Sequence, residues 1–217
     1  MFDSRIQGWM RPSMARAGQT LARWGCTANG VSFAGFGTGL AAAAAIALSQ
    51  PLVGLVLLLL SRLMDGLDGA VARATEATER GAFLDITLDF LFYASIPLAF
   101  AVAHPAANAL PAAVLLASFI GTGSSFLAFA VAAERRQLRS HAFPDKGFYF
   151  LGGLTEATET LAAFVAMCLW PQWFGPIAYG FAALCAITTA LRIRWGWTSL
   201  APAPAPAPTL HSPTPPR

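Results

Sequence analysis

The sequence predicts an all-α integral membrane bundle of six transmembrane helices, preceded by an N-terminal interfacial amphipathic helix. Three observations predict it. Of 217 residues, 56% are hydrophobic and 12% are charged, with a mean hydropathy of +0.56, whereas a soluble domain carries about 25% charged residues. The apolar residues gather in windows near 28–48, 51–72, 81–103, 109–133, 151–170 and 174–194, each close to the roughly 20 residues that cross about 30 Å of hydrocarbon. With six spans, all 14 Lys and Arg residues fall on one side: Arg5, Arg11, Arg16, Arg23, Arg62, Arg73, Arg80, Arg135, Arg136, Arg139, Lys146, Arg192, Arg194 and Arg217. The positive-inside rule then puts both termini in the cytoplasm, and one span more or fewer would scatter these charges over both faces.

Residues 1–27 form the juxtamembrane segment. Ile6, Trp9, Met10, Met14, Leu21 and Trp24 recur at three- and four-residue steps among arginines, the pattern of a helix lying in the interface. No continuous apolar core interrupts those arginines, so the segment does not read as a cleavable signal peptide. Residues 28–196 are expected to form the six-helix catalytic domain. Its connections are short, at Ser49–Pro51, 75–80, 104–108 and 171–175, with a longer one at 134–147. Such lengths suit antiparallel neighbours in one bundle. Residues 197–217 are expected to be a disordered tail, because the repeated Ala-Pro pairs of 201–208 can join neither helix nor sheet. Cys26, Cys168 and Cys185 lack metal-ligand spacing, and His104, His141 and His211 sit in connections or the tail. The net charge of +3 has no basic stripe on a soluble face. It points to anionic lipid headgroups and away from nucleic acid.

Four aspartates break the apolar pattern: Asp65, Asp68, Asp85 and Asp89. A carboxylate within a membrane helix costs about 2.5–3.5 kcal/mol even on the lenient insertion scale, so four within 25 residues call for compensation. Asp65 and Asp68 stand at i and i+3, and Asp85 and Asp89 at i and i+4, so each pair shares a helix face. The short connection at 75–80 brings both pairs to one depth at the cytoplasmic end of the second and third spans. Oxygen-only ligands without His or Cys favour Mg²⁺ or Mn²⁺, and four carboxylates suffice for two such ions. Gly66, Gly69 and Ala72 strip side chains from the helix beside them, and Arg73 adds a fixed cation, an arrangement that suits a diphosphate. Singly, the glycines read as packing residues and Arg80 as an interfacial anchor. Packing does not account for four acids.

These positions resemble the signature of the CDP-alcohol phosphotransferases, DxxDGxxAR, seven or eight residues, then GxxxDxxxD. Asp65, Asp68, Gly69, Ala72, Arg73, Gly81, Asp85 and Asp89 match it without a departure. The resemblance implies a membrane enzyme of phospholipid biosynthesis that transfers a substituted phosphate from a CDP-linked donor to an alcohol and releases CMP. It further implies that the four aspartates ligate two metals, with Asp89 doubling as the base, and that Gly69, Ala72 and Arg73 hold the CDP moiety. Thr27 to Ser32, TANGVS, is similar to a TPNxVT segment of the same family, with Ala28 in place of proline. That likeness gives Asn29 a nucleotide-side role, beside its alternative as a helix cap with Thr27.

The donor is expected to be CDP-diacylglycerol and the acceptor a small polar alcohol; a CDP-alcohol transferring to diacylglycerol is the alternative. Arg139 and Lys146 are candidates for an anionic acceptor, beside membrane anchoring. Glu156 and Glu159 either pair with Lys146 or Arg192 or face the site. Prenyltransferases carry two acidic motifs far apart, and an ion transporter places its acids near the bilayer midplane on several helices; neither pattern is present. The expected location is the inner or plasma membrane with the active site facing the cytoplasm, and a homodimer is among the assemblies open to it.

Overall fold

The computed structural model describes residues 2–136, 155 and 157–201, with side chains from residue 13 onward. Among them the chain is helical: α1 (Phe2–Arg23), α2 (Ala28–Ala47), α3 (Pro51–Ala74), α4 (Glu79–Ala103), α5 (Pro105–Arg135), α6 (Ala157–Leu169) and α7 (Phe174–Ser199), with one 3₁₀ turn at Pro171–Trp173. Each of the six apolar windows holds one of α2 to α7. Among the described residues, four segments are long and apolar enough to cross a membrane: Ala28–Ala47, Glu79–Ala103, Pro105–Arg135 and Pro171–Ser199. α3 is as long but carries Arg62, Asp65, Asp68 and Arg73, and α6 is described over 13 residues.

Local chemistry sets the helix ends. α1 stops in a Schellman turn in which Cys26 N donates to Leu21 O at 3.0 Å and Gly25 N to Ala22 O at 3.0 Å. Gly25 takes φ +81°, a conformation that favours glycine. Thr27 and Thr78 cap α2 and α4 through their hydroxyls, accepting from Gly30 N at 3.2 Å and Gly81 N at 3.1 Å. Pro51 and Pro105 occupy first-turn positions of α3 and α5, where a missing N–H costs nothing. For that reason α5 begins at Pro105, ahead of the window predicted from residue 109. At the other end α7 reaches Ser199, past residue 196, because nothing in Trp195–Ser199 stops a helix before Pro202 disfavours it.

Small residues bring α2 against α3. A Cβ at Gly35 would lie 3.2 Å from Met64 Cβ, and one at Gly39 2.5 Å from the Phe92 ring and 2.9 Å from Ser61 Oγ. Ser61 Oγ donates to Gly35 O at 2.8 Å across this contact. In hydrocarbon, where burial alone drives no association, such close backbone approach and cross-helix bonding hold helices together. α2 packs against both α3 and α4, α5 against α4 and α7, and α6 against α3 and α7. The core between them contains Leu58, Phe92, Ile96, Phe100, Leu115, Phe164, Met167 and Phe174. α1 crosses α3, with Gly18 buried against Ala70 and Met14 over Gly66. Of its expected apolar face, Leu21 is half-buried and Trp24 exposed; the side chains of Ile6, Trp9 and Met10 lie outside the described residues.

Candidate active site and metal centre

The acids are positioned by the facing ends of two helices. α3 descends to Ala74, the connection of residues 75–78 turns the chain, and α4 starts at Glu79. Asp65 and Asp68 on α3 thereby face Asp85 on α4, and one carboxylate oxygen from each lies within 4.8 Å of the others. Asp68 is 5% exposed, Asp65 is half-buried, and Asp85 is open to solvent. Asp68 Oδ2 is buried without a hydrogen-bond partner. An orphaned carboxylate oxygen among other carboxylates is strongly unfavourable unless a cation completes it. Three hard oxygen donors at this spacing, with no nitrogen or sulfur ligand among them, therefore fit a divalent ion of the Mg²⁺ or Mn²⁺ kind.

Asp89, one turn further along α4, stands outside that trio. Its Oδ1 accepts from Arg62 Nη1 at 2.6 Å, and the same nitrogen lies 3.6 Å from Asp65 Oδ1. Four acids were expected to converge; the structure brings three together and links the fourth to them through an arginine. Sequence reasoning missed Arg62, which it counted only among the charges on one side of the membrane. Its position one turn before Asp65, inside an apolar run, was the available signal.

Beside the trio opens a groove of 220 Å³ lined by Asn29 and Ser32 of α2, by Asp68, Gly69, Ala72 and Arg73 of α3, and by Gly81 and Asp85 of α4, among others. It is smaller than the ~300–1,000 Å³ clefts that enclose a whole drug-sized ligand. It suits the polar end of a larger molecule whose remainder lies outside. A Cβ at Gly69 would meet Arg73 Nη1 at 3.3 Å, and one at Gly81 would lie 3.4 Å from Asn29 Oδ1. Glycine at these positions keeps both polar groups against bare backbone. The N-termini of α2 and α4 border the groove, and helix N-termini favour anions. Thr27 is the α2 cap, while Asn29, the other candidate for that task, lines the groove.

The region expected to take the acceptor is described in part. Arg139, Lys146 and Glu156 lie outside the described residues, as do residues 202–217 of the tail. Glu159 is half-buried in the first turn of α6. Arg192 of α7 donates from Nη1 to Thr122 O of α5 at 3.0 Å, with its guanidinium 5.7 Å from the Phe126 ring. Thr155 and Thr188 hydrogen-bond at 3.1 Å in a buried contact.

Fold and site together define an all-helical membrane protein that gathers acids, glycines and a cation at one end of its bundle. Residues 26–192 match the family model for CDP-alcohol phosphatidyltransferase, and the chain belongs to that family, which places it among the transferases of phospholipid biosynthesis. It is 47% identical over 200 residues to the inner membrane protein YnjF of Escherichia coli (strain K12), covering 92% of this chain and 97% of that one. It is 37% identical over 94 residues to the archaetidylinositol phosphate synthase of Pyrococcus horikoshii, covering 43% of this chain and 50% of the synthase. In fold it is similar to the phosphatidylinositol phosphate synthase PgsA1 of Mycobacterium tuberculosis. The crystal structure with CDP-DAG bound superposes with TM-score 0.70 at 21% identity, over 88% of this chain and 98% of that one. The complex with manganese and citrate gives TM-score 0.67, also at 21% identity, over 88% and 93%.

Proposed function

We propose that the chain transfers a phosphatidyl group from CDP-diacylglycerol to the hydroxyl of a small polar alcohol and releases CMP. The observation that carries this reading is the trio of Asp65, Asp68 and Asp85, with its orphaned Asp68 Oδ2, opening on a groove in which Gly69 and Arg73 present bare backbone and a cation. CDP-DAG bound to the similarly folded PgsA1 supports this donor, and manganese in its second structure supports a divalent cofactor.

In this reading Asp65, Asp68, Asp85 and Asp89 hold two Mg²⁺ or Mn²⁺ ions. When bound, the ions neutralise charge on the diphosphate and on departing CMP. Gly69 and Ala72 let the diphosphate approach the α3 backbone, Arg73 faces its negative charge, and Asn29 contacts the nucleotide from α2. Asp89 takes the proton of the acceptor hydroxyl as its oxygen bonds to the phosphatidyl phosphorus. The bond from that phosphorus to CMP breaks, and the electron pair leaves on the CMP phosphate.

The same reading takes α2 to α7 as six membrane crossings and α1 as a helix at the interface, in an inner or plasma membrane. Helices as long as α3 and the one-sided lysines and arginines support it, and under the positive-inside rule the reading has both termini and the active site face the cytoplasm. The test is mass spectrometry of the lipids formed by the purified protein from CDP-diacylglycerol with glycerol 3-phosphate, serine, inositol or inositol phosphate. One acceptor is expected to give a phospholipid of matching mass with equimolar CMP. A product formed from a CDP-alcohol and diacylglycerol, with none from this panel, would contradict it.

A further inference from the structure

We propose that Arg62 is a positioning residue of the transfer reaction: from inside α3 it fixes the carboxylate of Asp89 across the gap to α4 and sets a positive charge between that acid and the trio. The proposal rests on the reading of this end of the bundle as the transfer site. An arginine that served only as an anchor would extend its stem toward the headgroups and keep its head in water. Arg62 does the reverse. Its side chain is 12% exposed and points inward, one turn deeper than Asp65.

The guanidinium is clamped from several directions. Nη1 donates to Asp89 Oδ1 at 2.6 Å, and Nη2 to Ser61 Oγ at 3.3 Å. Ser61 in turn is tied to Gly35 O of α2. Cζ lies 3.7 Å from the centroid of the Phe92 ring and 5.6 Å from that of Tyr93, close enough for cation–π attraction. α3 and α4 meet through side chains and lack the close backbone packing each makes with α2. A carboxylate on α4 would otherwise be free to swing toward the trio. With Arg62 present, Asp89 Oδ1 is held at one place while its other oxygen is left for a cation, and the same charge, 3.6 Å from Asp65, weakens cation binding on that side of the centre.

This geometry separates a positioning role from a structural one. Without the arginine, cations should bind more tightly, because a repelling charge is gone, while turnover falls because Asp89 is no longer held in place. A residue that merely supported the fold would lose both. For Arg62→Met, Mn²⁺ titration followed by electron paramagnetic resonance should give binding about three- to tenfold tighter, the scale of one partly screened charge. Turnover should fall about 10- to 100-fold, as on loss of a group that orients ligands, with the KM for CDP-diacylglycerol little changed. Arg62→Lys should recover much of the turnover, since an ammonium keeps the charge over Phe92 and one contact to Asp89. Wild-type turnover in Arg62→Met, a joint loss of Mn²⁺ affinity and turnover, or a lysine variant no better than methionine would each overturn the proposal. If Arg62→Met is not monodisperse, adding Asp89→Asn should restore it by removing the unpaired, half-buried charge; failure to do so also counts against the pair. A wild-type protein that neither binds Mn²⁺ nor releases CMP would instead overturn the transfer reading itself.

Discussion

At one end of the bundle Phe100 stacks on Phe174, ring centroids 4.7 Å apart, and Asn108 Nδ2 closes the turn between α4 and α5 by donating to Phe100 O at 3.0 Å. At the other end Gly69, Ala72 and Gly81 leave an open groove, and three carboxylates crowd within 4.8 Å. At the first end these contacts follow the rules of membrane packing: rings interlock, the buried amide is bonded, and proline starts the next helix. The second violates them, with buried acid, an orphaned oxygen and missing side chains. Local violations of this kind, in a chain that is otherwise consistent, mark where function outweighs stability. Substitutions at the two ends should therefore move stability and activity in different directions.

The largest effect is expected for Asp68→Asn. The buried carboxylate loses its charge, turnover should drop below detection, and the thermal midpoint without metal should hold or rise as repulsion among the acids is relieved. An unfolded variant would erase the contrast between the ends. Asp89→Asn should cut turnover about 10²–10⁴-fold, the usual contribution of a general base, while most donor binding survives on the remaining carboxylates. Initial rate beside donor affinity in one detergent checks this, and near-normal turnover would remove Asp89 from the chemistry.

Phe174→Ala at the opposite end should cost roughly 3–5 kcal/mol of stability, read as a lower thermal midpoint in detergent, with the folded fraction retaining its turnover. The smallest effect sharpens the comparison most. Gly69→Ala adds a methyl whose near neighbour is the movable end of Arg73 at 3.3 Å, and alanine favours helix by up to ~1 kcal/mol. Stability should hold or rise, yet the KM for the donor should increase about fivefold, equivalent to ~1 kcal/mol, because the added methyl narrows the groove.

Much of this architecture was legible because hydrocarbon imposes simple rules. Apolar windows located α2 to α7, and the i, i+3 spacing of Asp65 and Asp68 placed them on one face before any contact was known. The short connection after α3 was enough to bring Asp85 to them. Arg62 was not legible in the same way. Its pairing with Asp89, 27 residues away, depends on how α2 separates α3 from α4, and helix crossing is a property of packed small residues such as Gly35 and Gly39. Ser61, read as part of an apolar run, likewise gained its meaning from a carbonyl on another helix. Asn29 was singled out through a short segment likeness, and in the structure it lines the groove where the capped N-terminus of α2 borders Gly81.

The central claim is that the acidic end performs metal-dependent phosphatidyl transfer, and CMP release from CDP-diacylglycerol by the purified wild-type protein tests it most directly. With the acceptor present, the account predicts release that stops in excess chelator, returns on adding Mg²⁺ or Mn²⁺, and stays absent at every metal concentration in Asp68→Asn. Undiminished CMP release in the chelator, or release by Asp68→Asn at the wild-type rate, would contradict it.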